Sequence, residues 1–84
     1  MAYMTHGLKI HPKYFESVIT GDKTFEIRKN DRDYSVGDRL FLNEFDPANQ
    51  QYTGRRTRVI VTYITNYAQV DNYVVMGIKI ETAA

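Results

Sequence analysis

Lys23, Glu26 and Arg28 bring an ammonium, a carboxylate and a guanidinium together within six residues, immediately past a glycine at position 21. Cations beside an acceptor carboxylate suit the gripping of a polar heterocycle or a phosphate. The run Thr24-Phe25-Glu26-Ile27-Arg28-Lys29 alternates polar with apolar residues at strand spacing. Glu26 and Arg28 then share one face with Thr24, their Cα atoms roughly 6.5 to 7 Å apart, while Phe25 and Ile27 are expected to face a core. Lys23 is an odd number of residues from Glu26, so it can join them only from the turn that precedes the strand. As a purely structural feature, the Glu26–Arg28 pair would be an exposed ion pair worth about 0.5 kcal/mol.

Other residues could extend such a site. Arg55, Arg56 and Arg58 lie in a stretch without acids between Asp46 and Asp71, and Lys29 and Arg32 could join them against phosphate. Arginines so placed more often form a solvated edge that discourages aggregation. Tyr52, beside Thr53-Gly54, is expected as a cleft neighbour, where stacking on a base is worth roughly 1 to 3 kcal/mol. Most of the remaining tyrosines read as core or rim residues of strands. His6 and His11 are too few for a metal site and read as packing or surface residues. No phosphate-cradling glycine loop, nucleophile elbow or dinucleotide fingerprint occurs, so neither metal nor organic cofactor is expected.

The elements that must position these groups follow from periodicity. Leu8-Lys9-Ile10 reads as a short strand ended by His11-Pro12. Pro12 suits the first turn of a helix to about Thr20, with Tyr14, Phe15, Val18 and Ile19 at helical spacing and Gly21 at its left-handed end. Thr24–Lys29 is a strand, and Asn30-Asp31-Arg32-Asp33 a charged loop. Val36-Gly37-Asp38 is a turn, and Arg39–Phe45 alternates with both faces partly covered. Asp46 to Gly54 has the polarity of an exposed hairpin loop, and Arg55–Thr65 is a long strand pairing back onto Arg39–Phe45. Tyr73–Ile80 closes the set, with Val74, Met76, Ile78 and Ile80 on one face and Gly77 at a bulge or close approach.

One helix cannot cover an open sheet of five strands on both faces. The order therefore predicts a mainly β, α+β fold: a small curled sheet or β-barrel with one short helix capping one end. Eighty-four residues suffice for a single domain, 1–84, but not for a separate catalytic lobe. Eleven basic against ten acidic residues give a net charge of +1, too little for a bulk neutraliser of nucleic acid. The absence of cysteine excludes a disulfide framework and thiol chemistry. No apolar stretch approaches the roughly 20 residues that span a bilayer, so the expectation is a cytoplasmic protein without membrane contact.

The stretch from His6 through Phe45 resembles the ASCH group of PUA-like domains, within it the small bacterial and phage branch labelled DUF3850. The likeness rests on His6, Leu8-Lys9-Ile10, Tyr14-Phe15 and Gly21, on the run Lys23 to Arg32, and on Val36-Gly37-Asp38. Together they read like that group's G-x-K-x-x-E-x-R pattern. The resemblance implies a PUA-like barrel whose cleft, between helix and barrel, is lined by Lys23, Glu26 and Arg28 and binds RNA or a modified nucleoside. On that reading Thr24, Lys29, Arg32, Tyr52 and Arg55 flank the ligand. Some small members hydrolyse the amide of N4-acetylcytidine, which implies an alternative: Lys23 or Glu26 activating water, with Arg28 stabilising an oxyanion. Those hydrolases carry a threonine where this sequence has Glu26. A third expectation is a protein-interaction domain that docks a partner on a strand edge.

Overall fold

The computed structural model describes residues 3–81. Six elements follow one another: β1 (Thr5–Ile10), α1 (Pro12–Ile19), β2 (Phe25–Lys29), β3 (Arg39–Asp46), β4 (Gln51–Thr65) and β5 (Tyr73–Ile80). The strands form one sheet in the order β1-β3-β4-β5-β2. It is strongly curled into a half-barrel. β1 runs parallel to β3, and every other pairing is antiparallel. This order puts β1 and β2 at opposite edges although only α1 separates them in sequence. The helix must therefore span the gap that the sheet leaves open.

Local chemistry sets the ends of that helix. His11 is extended and Pro12 occupies the first turn, where a missing N–H costs nothing. Phe15 and Val18 are buried, and α1 packs against β3. The amides of Thr20 and Gly21 return to the carbonyls of Glu16 and Val18, and Gly21 adopts φ +86°, which a residue with a Cβ rarely accepts. The chain then doubles back, with the Lys23 amide donating to the Ser17 carbonyl at 2.8 Å. That contact places position 23 beneath the helix.

Two bulges assist the curl, since an extra residue in one strand bends it and increases the twist. One breaks the β3–β4 register between Asn43 and Phe45, the other the β4–β5 register between Val61 and Tyr63. Opposite the second sits Gly77, where a Cβ would lie 2.9 Å from Thr62 Oγ1. The close approach expected of this glycine is thereby located. Leu8, Leu40, Leu42, Val59, Val61 and Met76 form the centre of the concave core. Each such side chain contributes about 1.5–3 kcal/mol by leaving water.

Two expectations need correction. Phe25 and Ile27 do not face the core: they are 43% and 50% exposed, whereas Glu26 between them is 4% exposed. Alternation fixes which residues share a face but not which face turns inward. Here the inward carboxylate is tolerated because two cations bind it. The 46–54 loop is also shorter than expected, because β4 begins at Gln51. Asp46 and Asn49 side chains accept the amides of Ala48 and Gln51, which tightens the turn and lets Tyr52 pair with Phe45.

Polar groups inside the fold are matched; no buried side-chain nitrogen or oxygen among the described residues lacks a partner. Asp38, 1% exposed, accepts from His6 Nε2 at 2.9 Å and from the amides of Met4 and Ser35 at 3.0 Å each. Burial works to raise its carboxyl, but these hydrogen bonds outweigh burial and hold it below the usual range. Glu44 is buried against Arg55, and Glu81 bridges Arg39 and Arg58. No helix among the described residues is long and apolar enough to cross a membrane.

Candidate functional site

The open seam between β1 and β2 holds a cleft of about 570 Å³. β2 supplies Glu26 and Arg28 to its floor, and the turn after α1 supplies Lys23. Glu26 is held from both sides: Lys23 Nζ donates to Oε1, and Arg28 Nε donates to Oε2 at 2.9 Å. Lys23 Nζ also donates to the Phe25 carbonyl at 2.6 Å. Arg28 reaches across the seam, its Nη2 donating to the Lys9 carbonyl at 2.7 Å. Each cation is thus fixed by a second acceptor that belongs to the backbone.

The walls are largely apolar and aromatic. Ile10 and His11 end the β1 side, Tyr14 overhangs from the helix, and Phe25 and Ile27 form the β2 side. The half-exposed Phe25 and Ile27 are accounted for here: they line the seam instead of the core. The Tyr14 and Phe25 rings lie with centroids 5.6 and 4.9 Å from Lys23 Nζ. The Thr24 carbonyl accepts from Ile78 N and Asn30 N donates to the Asn72 carbonyl, so even-numbered residues of β2 spend their backbone groups on the sheet. The backbone groups of Phe25 and Ile27 consequently turn away from β5 toward the seam, where Lys23 takes the Phe25 carbonyl and the peptide groups of Ile27 are left for a flat ligand with donors and acceptors on its edge.

Lys23, Glu26 and Arg28 therefore converge as the spacing required. Thr24 lies apart, beside a smaller hollow with Val18 and Ile78, and Lys29 is exposed at the edge of β2. Arg32 and Tyr52 line an adjoining hollow that shares Lys9 and Arg28 with the cleft. Arg55 is committed elsewhere: it binds Glu44 at 2.9 Å and Glu16 at 2.6 Å, with its guanidinium 4.8 Å from the Phe15 ring centroid. The Arg55 and Thr53 hydrogen bonds hold the Glu44 carboxyl below its usual range, and Glu44 with Glu16 raises the guanidinium. Among the described residues no three His, Cys, Asp or Glu side chains gather as a metal site.

Sequence reasoning missed Lys9, His11 and Tyr14 as cleft residues. The signal was connectivity: residues flanking a helix that bridges two sheet edges must meet the residues at its other end. The spacing of Tyr14 placed it with Phe15 and Val18, yet it is 48% exposed over the cleft.

Curled sheet, bridging helix and charged seam define a small half-barrel with a ligand-sized cleft at its unclosed edge. The chain belongs to the family described as "Domain of unknown function (DUF3850)", whose sequence model matches residues 5–78. It is 38% identical over 72 residues to the "Uncharacterized 12.9 kDa protein in GpA 3'region" of Escherichia phage P2. That match covers 84% of this chain and 64% of the phage protein, so the chain spans less than two thirds of that relative's length.

Proposed function

We propose that this protein is a PUA-like ASCH module that binds RNA or a modified nucleoside in the seam cleft. One observation carries the reading: a buried carboxylate held between two cations on the floor of an open, aromatic-walled cleft. Glu26 offers its remaining lone pairs to a base amino or imino group, and Arg28 and Lys23 offer donors to a carbonyl or phosphate. Tyr14, His11 and Phe25 supply flat faces for stacking. A volume of about 570 Å³ lies within the usual range for small-ligand sites. Two cations against one carboxylate leave the cleft positive, which suits a ligand carrying partial or full negative charge.

The test is titration of free nucleosides and short single-stranded RNAs into wild type, Lys23→Ala and Arg28→Ala. Binding that weakens at least tenfold in both variants supports the cleft; equal affinities in all three proteins contradict it. The hydrolytic alternative uses the same groups, which the fold gathers on one cleft floor. Incubation with N4-acetylcytidine separates the two: cytidine release that depends on Lys23 selects the enzyme, and binding without release selects the module.

A further inference from the structure

The cleft is not isolated. Beyond Arg28 and Lys9 the surface drops into a second hollow of about 470 Å³, reached past Arg32, Asn43 and Tyr52. Asn43 and Tyr52 in turn border a third, of about 350 Å³, beside Gly54 and Arg56. Each hollow shares two residues with the next, so the three form one continuous track across β1, β3 and β4. Its cations are unevenly employed. Arg28 is tied to Glu26, whereas Lys9, Arg32 and Arg56 form no ion pair among the described residues.

Tyr52 stands midway along this track. The residue is 57% exposed, and its ring rests edge-on against Phe45, centroids 5.1 Å apart. The Lys9 ammonium lies 4.3 Å from the Phe45 centroid and 5.9 Å from that of Tyr52. An exposed aromatic so braced is a stacking platform with little side-chain entropy left to lose. A row of available cations beside it matches a phosphate chain. Neither feature is needed by a ligand that fills only the seam.

We infer that the track takes a single-stranded nucleic acid of two or more nucleotides, one base in the seam cleft and a following base stacked on Tyr52. Lys9 and Arg32 meet the phosphate between them. This rests on the nucleoside-binding reading of the seam and extends it to the ligand's class.

The experiment compares a mixed-sequence tetranucleotide RNA with its constituent nucleosides, using wild type, Tyr52→Ala, Tyr52→Phe and Arg32→Gln. Wild type is expected to bind the tetranucleotide at least tenfold more tightly than the nucleosides. Tyr52→Ala should lose roughly 5- to 150-fold for the tetranucleotide and nothing for the nucleosides, with Tyr52→Phe retaining affinity. Arg32→Gln should reduce the slope of log affinity against log salt by about 0.7. Nucleoside binding without any gain from the tetranucleotide, or an equal loss for both ligands in Tyr52→Ala, overturns the inference and leaves the seam reading standing. Tighter binding of the same sequence as a duplex also overturns it. Binding of neither ligand removes both.

Discussion

Arg28 ties the two edges of the sheet together: its Nη2 donates to the Lys9 carbonyl of β1 at 2.7 Å from a position on β2. The same guanidinium holds Glu26 through Nε at 2.9 Å. A fold that stops short of closing its barrel thus uses one side chain to set the width of its opening.

Replacement of Arg28 should act on stability as well as binding. Arg28→Ala removes both bonds and leaves Glu26 with Lys23 alone, a loss of about 1–3 kcal/mol in unfolding free energy. Arg28→Lys should recover only part of this, because an ammonium cannot reproduce the planar fork. Urea denaturation checks both, and a change within about 0.5 kcal/mol for Arg28→Ala would contradict the bridging role.

Glu26→Gln separates charge from shape. The amide retains one acceptor oxygen but places an NH2 against one of the two cations, so the cleft loses its anion while the backbone is undisturbed. Ligand affinity should fall at least tenfold, about 1.4 kcal/mol, with the fold retained. Circular dichroism paired with a binding titration measures the two effects independently. Undiminished affinity would remove the carboxylate from recognition.

Gly77→Ala tests the bulge that helps curl the sheet. Its Cβ would meet Thr62 Oγ1 at 2.9 Å, and the resulting overpacking should cost about 1–3 kcal/mol. Thr62→Ala removes the clashing hydroxyl, so the double variant should regain most of the loss. A double-mutant cycle with no coupling would show that the two residues do not conflict.

Acid should destabilise the protein through three carboxyls. Asp38, Glu44 and Glu81 are all held below their ordinary values, 3.8 for Asp38 and 4.5 for the glutamates. A lowered folded value means the unfolded chain takes up protons first, so these contributions are whole above about pH 4.5 and drain away as pH falls through the folded values. Thermal melting from pH 7 to pH 3 should be flat and then fall, with a shallower fall in Glu44→Gln. A melting temperature that rises below pH 4 would contradict this sign.

The elements and the three central site residues were legible because periodicity and helix-end chemistry are local. Pro12 and Gly21 mark the two ends of α1, and the β3 and β5 patterns name their buried residues. The direction in which β2 faces was not legible. Phe25 and Ile27 look like core residues until the sheet order makes β2 an edge and the cations beside Glu26 permit it to turn inward. Arg55 looks like a phosphate ligand for a similar reason, since Glu16 and Glu44 meet it only after β3, β4 and the helix have packed. Long-range pairing decides both cases, and a single chain's alternation carries no record of it.

The most direct test of the central claim is a two-dimensional amide NMR titration of the protein with a short single-stranded RNA and with free nucleosides. The account predicts shifts concentrated at Lys9 to Tyr14 and at Lys23 to Arg28, saturable in wild type and lost in Arg28→Ala. Saturable shifts confined to surfaces away from the seam, or none for any of these ligands, would contradict it.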